Sequence, residues 1–425
     1  MTKLRRILLS VLCTFTLVFG VAHGADAPGM SPMVNLRYVH NLIEHEWGIN
    51  IPIVSEHPSA PANMRYLFAV IDAANSKVGT KTDYQHSEYA TGFAANVNTS
   101  IKAVRTLIKP KYHFTATTTS DTTTFSFTIS ASGTFYVNWG DGTAEQKITK
   151  SSTGSQTISH TYATAGAYDI RIGGRATGYG AKPAVSFKSN LNLAGINGSL
   201  GRIFRNVGTN MPLFWETFRY CTNLRGSIPA ELFDGVTGTP RTHIFDGTFD
   251  GCSRLTGKIP ENLFAGIQGA PAYFMFSYTF YNCSGLTGEI PGKLFSGISG
   301  APNVGMFGHT FYNCSGLTGP IPSGLFSGIR GAPAANMFGA TFESCRGLTG
   351  EIPLGFFGNL GGAPASSMFY NTFMSCSGLT GPSARNPDGT PLYEIFPTAT
   401  TTNVQHMYYG VTGLSDYDDI PAAWK

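Results

Sequence analysis

Charge is what this sequence has least of. Charged residues make up 13% of its 425 positions, against roughly 25% in an average globular protein. The net charge is +4, and no cluster of Lys and Arg occurs beyond the extreme N-terminus. The electrostatic footprint of a nucleic-acid binder is therefore missing. Past residue 22 no apolar run reaches the roughly 18 residues that span a bilayer, so no membrane span is expected in the mature chain. There is no CxxC pair, nucleophile elbow, phosphate loop or zinc-ligand cluster. No catalytic constellation, cofactor or metal is expected, and a weakly charged surface suits uncharged partners such as glycans or protein.

What the chain does have is glycine (51), phenylalanine (30) and tyrosine (19), the composition of an ordered, turn-rich protein. Its N-terminus places Lys3, Arg5 and Arg6 before an apolar run from Ile7 to Ala22, followed by small residues. That order marks a secretory signal peptide over residues 1–24. The protein is expected to be exported, and either secreted or held at the cell surface.

Residues 25–112 read as a helical module of no recognised family. Leu36, Val39, Leu42, Ile43 and Trp47 share one helical face, as do Met64, Leu67, Val70, Ile71 and Ala74. A third periodic stretch runs through Ala94–Ile108. His40, Glu44, His45 and Glu46 are read as a solvated polar face, because histidines five apart diverge by about 140° on a helix.

The period then changes to two. Phe125, Phe127 and Ile129 alternate, then Phe135, Val137 and Trp139, then Ile158, His160 and Tyr162, then Tyr168, Ile170 and Ile172. Alternation broken by Asp141-Gly142 and Gly166 predicts a small β-sandwich over 113–176. The pair W-G-D-G-T (139–143) and H-T-Y-x-x-x-G-x-Y-x-I-x-I (160–172) resembles the PKD domain, an immunoglobulin-like sandwich of extracellular proteins. The resemblance implies a spacer or interaction module.

Residues 177–425 repeat. Cys221, Cys252, Cys283, Cys314, Cys345 and Cys376 recur every 31 residues, a period that marks stacked units sharing one core. Phe218, Phe249, Phe280, Phe311, Phe342 and Phe373 stand three residues before each Cys, and Phe214 through Phe369 four residues earlier again. The spacing i, i+4, i+7 predicts one face of a short helix, opened by Pro240, Pro271, Pro302, Pro333 and Pro364. The L-T-G-x-I-P segment is expected to be a short parallel strand with Leu and Ile inward, although Pro320 and Pro382 fall inside it and cannot donate to a ladder. Phe233, Phe264, Phe295, Phe326 and Phe357 form a further inward column. The cysteines read as small core hydrophobes, with neighbours about 5 Å apart close enough to pair. Asn190 occupies the cysteine column one unit early, as a worn capping repeat.

C-x-x-L-T-G-x-I-P followed by T-F-x-x-C resembles the leucine-rich repeats of BspA-like bacterial surface proteins, with Thr where that family favours Ala and a repeat about eight residues longer. The resemblance implies a secreted or surface-exposed recognition and adhesion module with no catalytic residues. The expected fold is thus multidomain: a leucine-rich-repeat solenoid of short parallel strands and short helical turns, preceded by a small β-sandwich and an N-terminal helical module.

Beside the inward Leu and Ile, two columns face outward. One holds Arg225, Thr256, Thr287, Thr318, Thr349 and Thr380; the other holds Ser227, Lys258, Glu289, Pro320 and Glu351. This strand face is the expected binding surface for an extracellular protein or glycan, although the threonines serve equally as cross-strand support. Two alternatives stand beside adhesion: a self-associating structural component of the cell envelope, and an enzyme with its site in residues 25–112.

Overall fold

The structure is a computed structural model, and it describes residues 112–425. The expected leader and, apart from Tyr112, the expected helical module lie outside the described residues. The described chain is mostly strands and turns with very few helices.

The alternating segments form β1 (Tyr112–Thr118), β2 (Thr122–Ile129), β3 (Ala131–Asn138), β4 (Gln146–Lys150), β5 (Gln156–Gly166) and β6 (Asp169–Tyr179). Two short strands follow, β7 (Val185–Ser186) and β8 (Leu193–Gly198). One antiparallel sheet has the order β4-β3-β6-β1-β8 and the other β5-β2-β7. The sheets therefore run on past residue 176, because β7 pairs with β2 and β8 with β1. Phe125, Phe127, Phe135, Val137, Trp139, Ile158 and Tyr162 are all buried, as strand alternation requires. Gly174 sits at φ +107 where β6 passes β3, and a Cβ there would lie 2.2 Å from the Thr134 carbonyl oxygen. No side chain fits at that approach. At the W-G-D-G-T turn, Asp141 accepts the Thr143 N–H and pairs with His160 at 2.7 Å, while the His160 ring stacks on Trp139. Asp141 thus closes its turn and ties it to β5.

Beyond β8 the chain follows one path over and over. Thr256, Thr287 and Thr318 each donate their N–H, at 2.9 Å, to the carbonyls of Gly226, Gly257 and Gly288, thirty residues earlier. The pairing is parallel and narrow. It widens into short strands at Gly319–Pro320, Leu348–Glu351 and Leu379–Thr380. Since each coil offers this ladder chiefly the threonine N–H, Pro320 gives up no needed donor. A second parallel ladder joins Gln268 to Gly238, Ser299 to Gly269 and Arg330 to Gly300. Beside it, a Cβ on Gly266, Gly297 or Gly328 would meet the carbonyl of the preceding coil at 2.2–2.4 Å. These parallel pairings, set a near-constant interval apart, are compatible with a solenoid.

The helix expected through Phe-x-x-x-Phe-x-x-Cys does not form. In the third unit Phe274, Tyr278 and Asn282 take φ values of +50° to +58°, and the same four-residue rhythm recurs at Gly305, His309 and Asn313. A left-handed residue every fourth position is incompatible with an α-helix. Backbone donors alternate instead. Thr279, Tyr281 and Cys283 donate three residues back, whereas Phe276, Tyr278 and Phe280 donate to Met306, Gly308 and Thr310 of the next coil. A helix would consume all these N–H groups internally; the turn run spends half of them on joining coils. Among the described residues the α-helices are the single turns Leu392–Ile395 and Thr401–Val404.

Inside, the columns are regular. Phe187, Phe218, Phe249, Phe280, Phe311, Phe342 and Phe373 stack with centroids 5.5–5.7 Å apart. Phe127 of β2 stacks on Phe187 at one end, and Tyr408 on Phe373 at the other. The six thiols are buried and unpaired. Each Sγ donates to the carbonyl of a Phe thirty-four residues earlier, at 2.9–3.1 Å. Buried threonines do similar work: Thr310 Oγ1 lies 2.7 Å from Phe307 O and 2.9 Å from Phe276 O. Burial pushes the Cys221 and Cys345 thiols up to about 12, so both stay protonated and can donate.

The sandwich and the coils share one core. Ala184, Phe187 and Ser189 donate to Leu213, Thr217 and Arg219 of the first coil, and Arg225 donates to Ala194 of β8. At the far end Trp424 and Tyr408, 1% and 0% exposed, cover the last phenyl rings.

Candidate functional site

The nine residues expected to bind sit where the ladder places them. Arg225, Ser227, Thr256, Lys258, Thr287, Glu289, Thr318, Thr349 and Glu351 are all exposed, and the Leu and Ile between them are buried. They form two columns on the strand face. The face is flat in chemistry: no aromatic side chain belongs to it, and among the described residues none of its members takes part in an ion pair.

The turn face differs. Each four-residue turn turns two side chains inward and two outward, so the positions between the inward Phe and Cys carry a second set of columns. One of them reads Arg219, Asp250, Tyr281, Tyr312, Glu343; its neighbour reads Glu216, Gly247, Tyr278, His309, Ala340, Asn371. Tyr281 and Tyr312 stack at 4.4 Å, and Tyr278 and His309 at 4.5 Å. Their hydroxyls and the groups beyond form a directed chain. Tyr281 donates to Tyr312, Tyr312 donates to Glu343, and Glu343 also accepts Asn371 Nδ2 at 2.8 Å. Burial raises the Glu343 carboxyl above its ordinary range despite these donors.

Toward the sandwich the same face becomes ionic. Glu216 takes Lys188 at 2.6 Å and also pairs with Arg219, whose Nε reaches Asp250 at 2.7 Å. Burial opposes ionisation of Glu216, but hydrogen bonds from Lys188 and Arg219 outweigh it and hold its pKa low. Burial wins at Asp250 and pushes it up to about 6, with Arg219 pulling the other way. Asp246, paired with His243 at 2.7 Å, is also raised by burial. Burial depresses His309 to about 4, so its imidazole is neutral at pH 7.

Three side-chain atoms on this face lack a hydrogen-bond partner: Asp250 Oδ1, His309 Nδ1 and Asn371 Oδ1. Asp250 and Asn371 are 2% and 7% exposed. Native proteins leave few buried polar groups unsatisfied, and each calls for a water or ligand to complete it. Sequence reasoning concentrated on the strand face and missed these residues. The signal that finds them is variation inside a fixed frame: the two positions between Phe and Cys change in chemistry from unit to unit while Phe and Cys do not.

Among the described residues no group of three or more His, Cys, Asp or Glu side chains is arranged to hold a metal ion, and no helix is long and apolar enough to cross a membrane. In comparisons with family models, curated proteins and solved structures, nothing matches this chain.

Proposed function

We propose that this is an exported, non-catalytic recognition protein that binds an extracellular protein or glycan through a leucine-rich-repeat solenoid of the BspA-like kind, with a PKD-like sandwich ahead of it. The observation that carries the reading is a division of labour by depth. Phe, Leu, Cys and Thr columns repeat without change in a dry interior, while the outward columns vary. A repeat interior of that kind fixes side chains on its surface at regular intervals, which suits recognition more than chemistry. Such a scaffold needs no metal, cofactor or nucleophile.

The test is an array of glycans and extracellular proteins probed with the full chain. Saturable binding to one class, abolished by unfolding the protein, supports the reading. Turnover of any arrayed substrate, or silence across both arrays, sinks it.

A further inference from the structure

We propose that the turn face, and not the strand face, is the ligand surface, and that its ligand is an uncharged glycan chain lying across the coils. The inference rests on the recognition reading above and narrows it to one site and one class of partner.

Four observations converge on the face. The first is periodicity. Tyr278 with His309, and Tyr281 with Tyr312, repeat side by side at 4.4–4.5 Å, which offers the same groups at successive positions along a line. A linear polymer of like units is the partner that can use such repetition.

The second is hydrogen-bond character. The chain Tyr281–Tyr312–Glu343–Asn371 ends on a carboxylate, and the Tyr281 oxygen at its head is used there only as a donor. Asn371 Oδ1 and His309 Nδ1 have no protein partner. Lone pairs are in surplus here, alongside a neutral imidazole that can either give or take a proton. A hydroxyl both donates and accepts, so a polyol meets the surplus where a purely accepting ligand does not.

The third is charge. The nearby cations Lys188 and Arg219 are already engaged by Glu216 and Asp250. The remaining ionisable groups are carboxyls, together with the uncharged His309. Sulfated or uronic-acid polymers would meet like charge with no free cation to compensate.

The fourth is conformation. Glu216, Tyr220, Phe274 and Tyr278 occupy left-handed backbone at φ +50° to +58°. Glycine and asparagine hold equivalent positions in other coils at lower strain. Bulky side chains in such geometry cost on the order of 1–3 kcal/mol each and concentrate at functional sites. Tyr220 and Tyr273 are each 44% exposed and flank the strip, adding ring surface for the apolar side of a sugar.

The experiment measures affinity of the full chain, by calorimetry, for a soluble β-glucan, soluble starch and chitooligosaccharides, with heparin as the anionic arm. Three variants accompany it: Tyr281→Phe with Tyr312→Phe, which keeps both rings; His309→Gln; and Thr256→Ala with Thr287→Ala and Thr318→Ala on the strand face. Melting curves establish that each is folded. The expected result is binding to at least one neutral glycan, weakened roughly tenfold or more by the tyrosine pair and by His309→Gln, and unchanged by the threonine triple. Glycan binding lost in the threonine triple and kept in the tyrosine pair overturns this inference while leaving recognition standing. Preference for heparin, or capture of protein with no glycan, likewise overturns it. No binding of any kind removes the recognition reading as well.

Discussion

The sandwich and the coils solve the same problem with opposite means. In the sandwich, strands of five to eleven residues pair along most of their length, and alternation alone sorts inside from outside. In the coils no described strand exceeds four residues. Ladders that narrow cannot carry the structure. Their deficit is made up by phenyl stacks, by Thr hydroxyls and Cys thiols bonded to carbonyls inside the core, and by turns whose alternate N–H groups reach the next coil. Backbone bonding between coils is thereby spread around the whole circuit, where a sheet would concentrate it.

If the two regions are distinct in means yet continuous in core, separating them should do the greatest damage. A fragment of residues 177–425 loses β1 to β6 and with them Phe114 and Phe127, which pack on Phe187. It is expected to show no cooperative melting transition by circular dichroism, whereas residues 112–425 melt cooperatively. A cooperative 177–425 would show that the coils stand alone. Next in size is Phe187→Ala, which removes the ring shared by both regions. A loss of about 3–5 kcal/mol is expected, with urea unfolding of 112–425 splitting into two transitions. Phe311→Ala, in mid-stack, should cost a similar amount without separating the sandwich. A single transition in both variants would mean that the junction is no weaker than the stack.

Smaller effects probe the polar interior. Thr310→Val keeps the shape and deletes one hydroxyl; since Phe276 O and Phe307 O also accept backbone N–H groups, the expected cost is about 1 kcal/mol, read by urea denaturation. The smallest effect distinguishes two residues on the turn face. Asp250 has a folded-state pKa raised to about 6, so the native state holds the proton more tightly and its contribution to stability falls as pH climbs from about 4 to 6. His309 is depressed to about 4, so its contribution rises over the window from about 4 to 6.5. Relative to the unmodified protein, Asp250→Asn should therefore gain stability across this range and His309→Gln should lose it. Melting temperatures with slopes of the same sign would show that burial does not dominate at both sites.

Much of this was legible in the residues. The 31-residue period, the inward Phe, Leu and Cys columns and the alternation of Phe125, Phe135, Ile158 and Ile170 all follow from side-chain chemistry at fixed spacing. The turn run was misread because i, i+4, i+7 is shared by a helix and by a succession of four-residue turns. Gly305, His309 and Asn313 carry the distinguishing hint, since Gly, Asn and His tolerate left-handed backbone best. β7 and β8 were hidden for another reason. Leu193–Gly198 belongs to two patterns at once, pairing with β1 as a sheet edge and receiving Arg225 as the first rung of the coil ladder. No local pattern announces a strand with two allegiances. The hydrogen-bond chain from Tyr281 to Asn371 depends on neighbours twenty-eight to thirty-one residues apart, and it emerges only once the coils are aligned.

The finished ends carry a consequence for how such a molecule can change length. Phe127 and Phe187 close one side, Tyr408 and Trp424 the other, and neither closure resembles the units between them. Appending a unit at either extremity would leave a raw hydrophobic surface open to water. Duplicating one within the series leaves both terminations intact and widens the outer surface by one more row, so variants of this design should differ in whole internal units.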